Sequence, residues 1–293
     1  MDSYSKETIF HLPGIFRYPQ LYEILLKLYL NKKEYFKNNV KIGSIYDSPG
    51  GIWNGGRLIT GNEKSLSELA AIKDMMLKYQ IPIRFTFTNC LLEEEHLHDT
   101  YCNILLELFN TGINEIICNK EILENYIRNK YGNNYKYISS TTKRMTNKEK
   151  QKEEIEKDYY LIVLDYDHNK DFNFLQSIKN KHKCELLCNA VCKPNCPNRI
   201  KHYESISQSQ LLYSTEQFVC QDSFKHFWEV KNKNSNFISI EDIENIYLPM
   251  GFTNFKLEGR TTHPLDLIEI LLYYLVKEKY QPEVRDLLQI SIW

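Results

Sequence analysis

The sequence predicts an α/β fold, a TIM-like (β/α)8 barrel, complete or incomplete, carrying an inserted segment between its seventh and eighth strands. Three observations lead there. Short β-rich runs alternate with amphipathic stretches along nearly the whole 293-residue chain, and eight such alternations are the pattern of this barrel. The sixth run, LIVLD at 161–165, is continuously apolar, as strands buried on both faces of a parallel sheet are. Nearly every run also ends in a residue that can bind or ionise, and in this fold the C-terminal strand ends carry the site. The same alternation fits an open doubly wound sheet as the alternative. No internal repeat or low-complexity linker divides the chain, so residues 1–293 read as one domain.

Each element has its own signal. TIFHL at 8–12 is a strand, and Leu21, Ile24, Leu25 and Leu28 make one face of a helix over about 18–30. VKIGSIY at 40–46 is the second strand, followed by a glycine-rich loop at 47–57 and a helix at about 65–79. IRFTFT at 83–88 alternates with period two and precedes a helix at about 95–110. Strands at 113–118 and 137–141 follow, with helices at 121–130 and 147–157. The last units are the strand at 161–165 with a helix at 172–181, a strand at 184–189, and a strand at 255–258 with a helix at 264–277. The insertion at about 200–249, rich in Phe and Tyr and containing Trp228, reads as a lid or an interface.

Composition narrows the function classes. A hydrophobic content of 42% supports a substantial core. A formal charge of −1 gives no global attraction to nucleic acid, so binding RNA or DNA would need a local basic patch. No secretory signal pattern opens the chain and no run of eighteen apolar residues occurs, which predicts a cytoplasmic protein rather than a membrane one. In that compartment eight cysteines point to thiols and metal rather than disulfides.

The strand ends supply the candidate site: His11, Asp47, Asn89, Thr141, Thr142, Lys143, Asp165, Asp167, Asn189, Glu258 and Arg260. In the loop DSPGGIWNGGR four glycines let backbone amides approach a ligand, and Arg57 can clamp a carboxylate. The loop matches neither a Walker motif nor a dinucleotide fingerprint. In NFKLEGR, alternation puts Lys256, Glu258 and Arg260 on the inward face, where charged groups are paired or functional. The stretch EEEHLH at 93–98 reads as a surface helix start, with acidic residues complementing the helix dipole, rather than a zinc site. No GxSxG elbow or Ser/His/Asp pattern supports serine hydrolysis.

The run CELLCNAVCKPNCPNRIKHY at 184–203 spaces Cys184, Cys188, Cys192 and Cys196 by four, with Cys220 one segment beyond. Pro194 and Pro197 forbid a helix through its second half, so a short strand must run into an irregular loop. Cys184 and Cys118 sit on apolar strands and read as small buried hydrophobes. Cys192 and Cys196, flanked by Lys193, Asn195, Asn198 and Arg199, read as metal ligands.

These stretches resemble the collagenase-like peptidase U-32 family, in its UbiU/UbiV-type iron–sulfur hydroxylase branch. The resemblance runs over about 40–277: TFTN in the third strand, GINEIIC in the fourth, YISSTTK in the fifth, ELLCNAVC in the seventh, and most specifically FISIEDIENIYLPMGFTNFKLEGR at the end. It implies a TIM-like barrel, a four-cysteine [4Fe–4S] cluster, and oxygen-independent hydroxylation of a small molecule or RNA base with prephenate as oxygen donor. Cys192, Cys196 and Cys220 would be ligands, with Cys188 or Cys102 as the fourth. The family spreads its cysteines over a longer stretch than this chain does, which leaves zinc as the alternative metal.

On that resemblance Arg57, Lys143, Arg199 and Arg260 are the available clamps for a dianionic donor, and Glu258 is an acid/base or an orienting partner. Asp165 and Asn89 join Glu258 and Arg260 as candidate catalytic residues. Two other classes stay open: a peptidase or maturation factor, and a non-catalytic cluster-bearing subunit paired with a second U-32-like barrel.

Overall fold

The computed structural model describes residues 7–59, 64–212, 218–220 and 223–291. Eight parallel strands close in sequence order: β1 Thr8–Pro13, β2 Val40–Asp47, β3 Ile83–Phe87, β4 Glu115–Cys118, β5 Lys136–Ser139, β6 Leu161–Val163, β7 Cys184–Leu187 and β8 Asn254–Lys256. Ile9 faces Asn254 across the closing seam. The (β/α)8 barrel is therefore complete.

Residue parity along the strands sorts side chains between two environments. Phe85, Phe87, Ile116, Cys118, Leu186 and Phe255 point outward into the main core beneath the helices. Ile117, Ile138, Leu161 and Val163 form a separate apolar patch inside the barrel, on β4 to β6. The rest of the interior is polar: Arg84, Glu115, Glu185 and Lys256 are buried on β3, β4, β7 and β8. One irregularity admits His11 to this interior. Register slips between Phe10 and His11, passing over Gly43, where an added Cβ would lie 2.5 Å from Ile9 Cγ2 and 2.7 Å from His11 Cε1.

The surrounding helices are α1 Pro19–Asn31, α2 Leu66–Tyr79, α3 Thr100–Leu108, α4 Glu121–Tyr131, α5 Lys148–Glu156, α6 Phe172–Ser177, α7 Arg199–Gln210, α8 Phe227–Lys233, α9 Ile240–Asp242, α10 Leu248–Met250, α11 Pro264–Leu275 and α12 Gln281–Ile290. A π-helical turn, Ile243–Tyr247, joins α9 to α10. Capping explains several boundaries. Ser65 and Glu68 form a reciprocal capping box that starts α2.

The helix expected over 95–110 is split, because Asp99 caps α3 through the Cys102 amide at 2.8 Å and leaves Glu94–His98 as a 3-10 turn. His96 is buried in that turn rather than on a surface helix. Its Nδ1 accepts from the Glu93 amide at 2.8 Å, and its carbonyl accepts from Trp53 Nε1 at 2.7 Å. The insertion contributes α7 to α10. Among the described residues no helix is long and apolar enough to cross a membrane.

Candidate active site at the barrel mouth

Below the mouth lies a layer of buried charge. Arg84 donates to Glu115 at 2.7 Å and to Glu185 at 2.6 Å, and its third nitrogen meets His11 Nδ1 at 3.0 Å. His11 also contacts Ser44 Oγ at 2.8 Å and Asn254 Oδ1 at 3.1 Å. Burial, reinforced by Arg84, drops the His11 pKa to about 3 despite the opposing pull of Glu185. Glu185 is held at about 2: burial works against its charged form, but Arg84, His11 and Lys256 outweigh it. In this layer two carboxylates share one arginine, with Lys256 as the next cation.

Above it, at the C-terminal strand ends, is a cavity of about 80 Å3, room for several waters. Its charged lining residues are Arg57, Lys256, Glu258 and Arg260. Tyr46, Tyr166 and Tyr203 add aromatic wall, and Thr86, Thr88 and Thr142 add hydroxyls. Three basic side chains thus line the cavity with one carboxylate. That carboxylate is already committed: Glu258 is ion-paired with Arg57 and accepts from the Val191 amide at 2.9 Å. Its own backbone is pinned on both sides by Asn189, at 2.7 and 2.9 Å.

Arg260 has neutral partners. It donates to Asn54 Oδ1 and the Gly55 carbonyl, each at 2.8 Å, and to Thr86 Oγ1. Gly55 lets the loop close on the chain just after β3, since a Cβ there would lie 2.4 Å from the Thr88 backbone. The glycine-rich loop therefore offers Arg260 a carbonyl oxygen, and Asn89 ties the loop down by donating to the Ile52 carbonyl at 2.8 Å. Asp47 lies deeper, its oxygens accepting from the Phe16 and Ser48 amides at 3.0 and 2.8 Å. Burial raises its pKa to about 6 against the pull of Arg260. Lys256 caps the Tyr46 ring at 3.9 Å and stands 3.9 Å from Glu185 Oε1. Burial, with help from Arg84 and Arg260, lowers its pKa to about 7 while Glu185 opposes.

α7 lies over this mouth. Its Tyr203 lines the cavity, its Ser207 carbonyl accepts from Asn89 at 3.2 Å, and Gln210 accepts from Asn54 and the Ile59 amide at 2.7 and 2.8 Å. Arg199, the first residue of α7, holds it to the end of β6 through Asp165 at 2.6 Å and Asp167 at 3.1 Å, with the Tyr166 ring 4.3 Å away.

The predicted residues thus separate into groups. Arg57, Glu258 and Arg260 meet at the cavity. Asp165 and Arg199 pair with each other beside it, and Asn89 serves as a clip between the loop and α7. Lys143 is directed away from the cavity, bonded to Glu154 at 2.6 Å and Tyr159 at 3.0 Å, because Glu154 on α5 is buried and needs a cation. Lys256 completes the site. Its inward parity was visible in the sequence, but nothing in composition marks it as more than a paired charge.

The cysteines divide by strand parity. Cys184 and Cys188 point outward with Leu186 into the main core, where burial raises the Cys188 thiol pKa. Cys192, past the end of β7, turns into the mouth beside Tyr166, Leu187 and Ala190, with Arg57 4.0 Å from its sulfur. Cys196 is buried ahead of α7 and Cys220 is partly exposed. Cys102 packs beneath the glycine-rich loop, where a Cβ on Gly51 would lie 2.8 Å from its sulfur. Neither Cys188 nor Cys102 joins Cys192, and among the described residues no three His, Cys, Asp or Glu side chains gather as a metal's ligands. The residues as placed do not fit a four-thiolate cluster.

No family model matches the chain. Over 141 residues it is 28% identical to an uncharacterized protease of Methanocaldococcus jannaschii, a match that takes in 45% of this chain and 41% of that protein. The chain therefore spans about two fifths of the length of this curated relative. The solved structure of a U32 peptidase is similar with a TM-score of 0.54 over 88% of this chain and 95% of that one, at 12% identity. In fold the chain is similar to a U32 peptidase, and over part of its sequence to a protein described as a protease.

Proposed function

We propose that the barrel mouth is the active site of an enzyme acting on a small carboxylate. The observation that carries this reading is the charge count of the cavity, Arg57, Lys256 and Arg260 against Glu258 alone. Glu258 is consumed by Arg57, and Arg260 is satisfied only by neutral oxygens. A buried guanidinium without a directly bonded counter-ion is costly, and a bidentate carboxylate is its natural complement. Glu258, fixed by Asn189 and Val191, would orient Arg57 toward the ligand.

Among the activities that the U-32 resemblance implies, oxygen-independent hydroxylation with a prephenate-like donor has a matching feature here, because a dianion suits the two cations Arg260 and Lys256. The iron–sulfur cluster of that branch does not find four thiolates in this arrangement, so no step is assigned to it. Iron and sulfide content after anaerobic isolation tests the branch: cluster-level iron lost in Cys192→Ala supports it, and metal-free or zinc-loaded protein removes it. Peptide hydrolysis, suggested by the relative's description as a protease, has less support, since the carboxylate in the cavity is already engaged.

The carboxylate reading is tested by thermal melting with small mono- and dicarboxylates and their amides. Carboxylates should raise the melting temperature and amides should not. Equal effects of both, or none, contradict the reading.

A further inference from the structure

We propose that Lys256 is the reactive amine of this site and that its substrates are 2-oxo acids, the amine condensing with the ketone while Arg260 holds the adjoining carboxylate. This deepens the carboxylate reading and rests on it. Lys256 ends the inward row of β8, 7% exposed, and lines the same small cavity as Arg260. Groups face it from five strands or their ends: His11 on β1, Tyr46 on β2, Arg84 on β3, Glu185 on β7, and Glu258 and Arg260 after β8.

No close, hydrogen-bonded ion pair holds it. Arg84, 2.6 Å from Glu185, is shared with Glu115, so Lys256 is the second cation for these two carboxylates, but at 3.9 Å from the other Glu185 oxygen it stands beyond hydrogen-bond reach. That oxygen, Glu185 Oε1, is buried without a hydrogen-bond partner among the described residues. The lysine is thus desolvated and only loosely paired, as amines that form Schiff bases are. With its pKa lowered to about 7, about half the amine is neutral at pH 7, against roughly one in 2,500 for an exposed lysine.

The step balances without a further reactant. Nζ forms a bond to the ketone carbon as the C=O π pair moves to oxygen. The two amine protons pass to that oxygen, which leaves as water, and the C=N bond remains. Glu185 Oε1 stands where it can stabilise the charged iminium form. The cavity volume suits a short acid such as pyruvate.

The experiment incubates the full chain with pyruvate and sodium cyanoborohydride at pH 7, then maps modified peptides while melting the same samples. The expected result is one reduced pyruvate unit on Lys256, at least about tenfold above any exposed lysine. Acetone, lacking the carboxylate, and Arg260→Gln should each lower that labelling about tenfold or more. Lys256→Arg should abolish it, and the wild-type map locates the amine even if this variant folds poorly. No adduct on Lys256, or labelling spread evenly over surface lysines, overturns the inference. If pyruvate then still raises the melting temperature, the carboxylate site stands without the amine chemistry; if it does not, both fall.

Discussion

The floor and the mouth of this barrel are both buried and both charged, yet their excess charges have opposite sign. On the floor, Arg84 sits between Glu115 and Glu185, and His11 is kept neutral. At the mouth, Arg260 meets three neutral oxygens, Lys256 stacks on a tyrosine, and Glu258 serves Arg57. On the floor two carboxylates share one arginine, so the excess there is negative. Positive charge left over in a cavity is a place prepared for an anion.

The sharpest way to break this contrast is to remove one arginine from each region. Arg84→Met strands two carboxylates in the interior and should cost about 3–5 kcal/mol in urea unfolding. Arg260→Met leaves neutral acceptors that water can reach through the cavity and an Asp47 carboxylate that keeps its two amide donors, and should cost about 1–2 kcal/mol. Equal losses would show that the mouth arginine is as structural as the floor one.

The second prediction sharpens the floor. His11 has a folded pKa of about 3 against 6.5 in the unfolded chain, so between these values the unfolded state binds the extra proton. Stability contributed by this site is present above pH 6.5 and is lost as pH falls toward 3, at about 1.4 kcal/mol per unit. Asp47, with its pKa raised to about 6, slopes the other way over the lower part of this range, so the test compares wild type with His11→Asn. Their difference should shift by about 2 kcal/mol between pH 6.5 and pH 5 in chemical denaturation. A constant difference would mean that His11 is charged in the fold.

The smallest effect separates the cysteines. Cys188→Ala removes a packed sulfur from the outer core and should lower stability by about 1 kcal/mol, whereas Cys192→Ala at the mouth should change unfolding by less than about 0.5 kcal/mol. The reverse order would place the seventh strand's parity in error.

Much of the architecture is written in the periodicity. The alternation of β-rich and amphipathic runs marks every barrel strand, and period two along β8 already aims Lys256, Glu258 and Arg260 inward. α12 is fainter because it buries only Val284 and Leu288, too few positions for a legible stripe. EEEHLH looks like a solvated helix because nothing local announces that Trp53, forty-three residues earlier, will claim the His96 carbonyl. Lys143 and Arg57 are equally plausible clamps in sequence, and only the long-range partners Glu154 and Glu258 tell them apart. The cysteines part company for a physical reason. Cys188 shares parity with Leu186, so the strand carries it outward, and the chain turns toward the mouth only beyond Asn189.

The central claim, that the mouth holds unneutralised positive charge for a carboxylate, is tested most directly by calorimetric titration of pyruvate into wild-type protein and Arg260→Gln. The account predicts saturable binding to the wild type, weakened about tenfold or more in the variant. Binding of equal strength to both, or to neither, contradicts it.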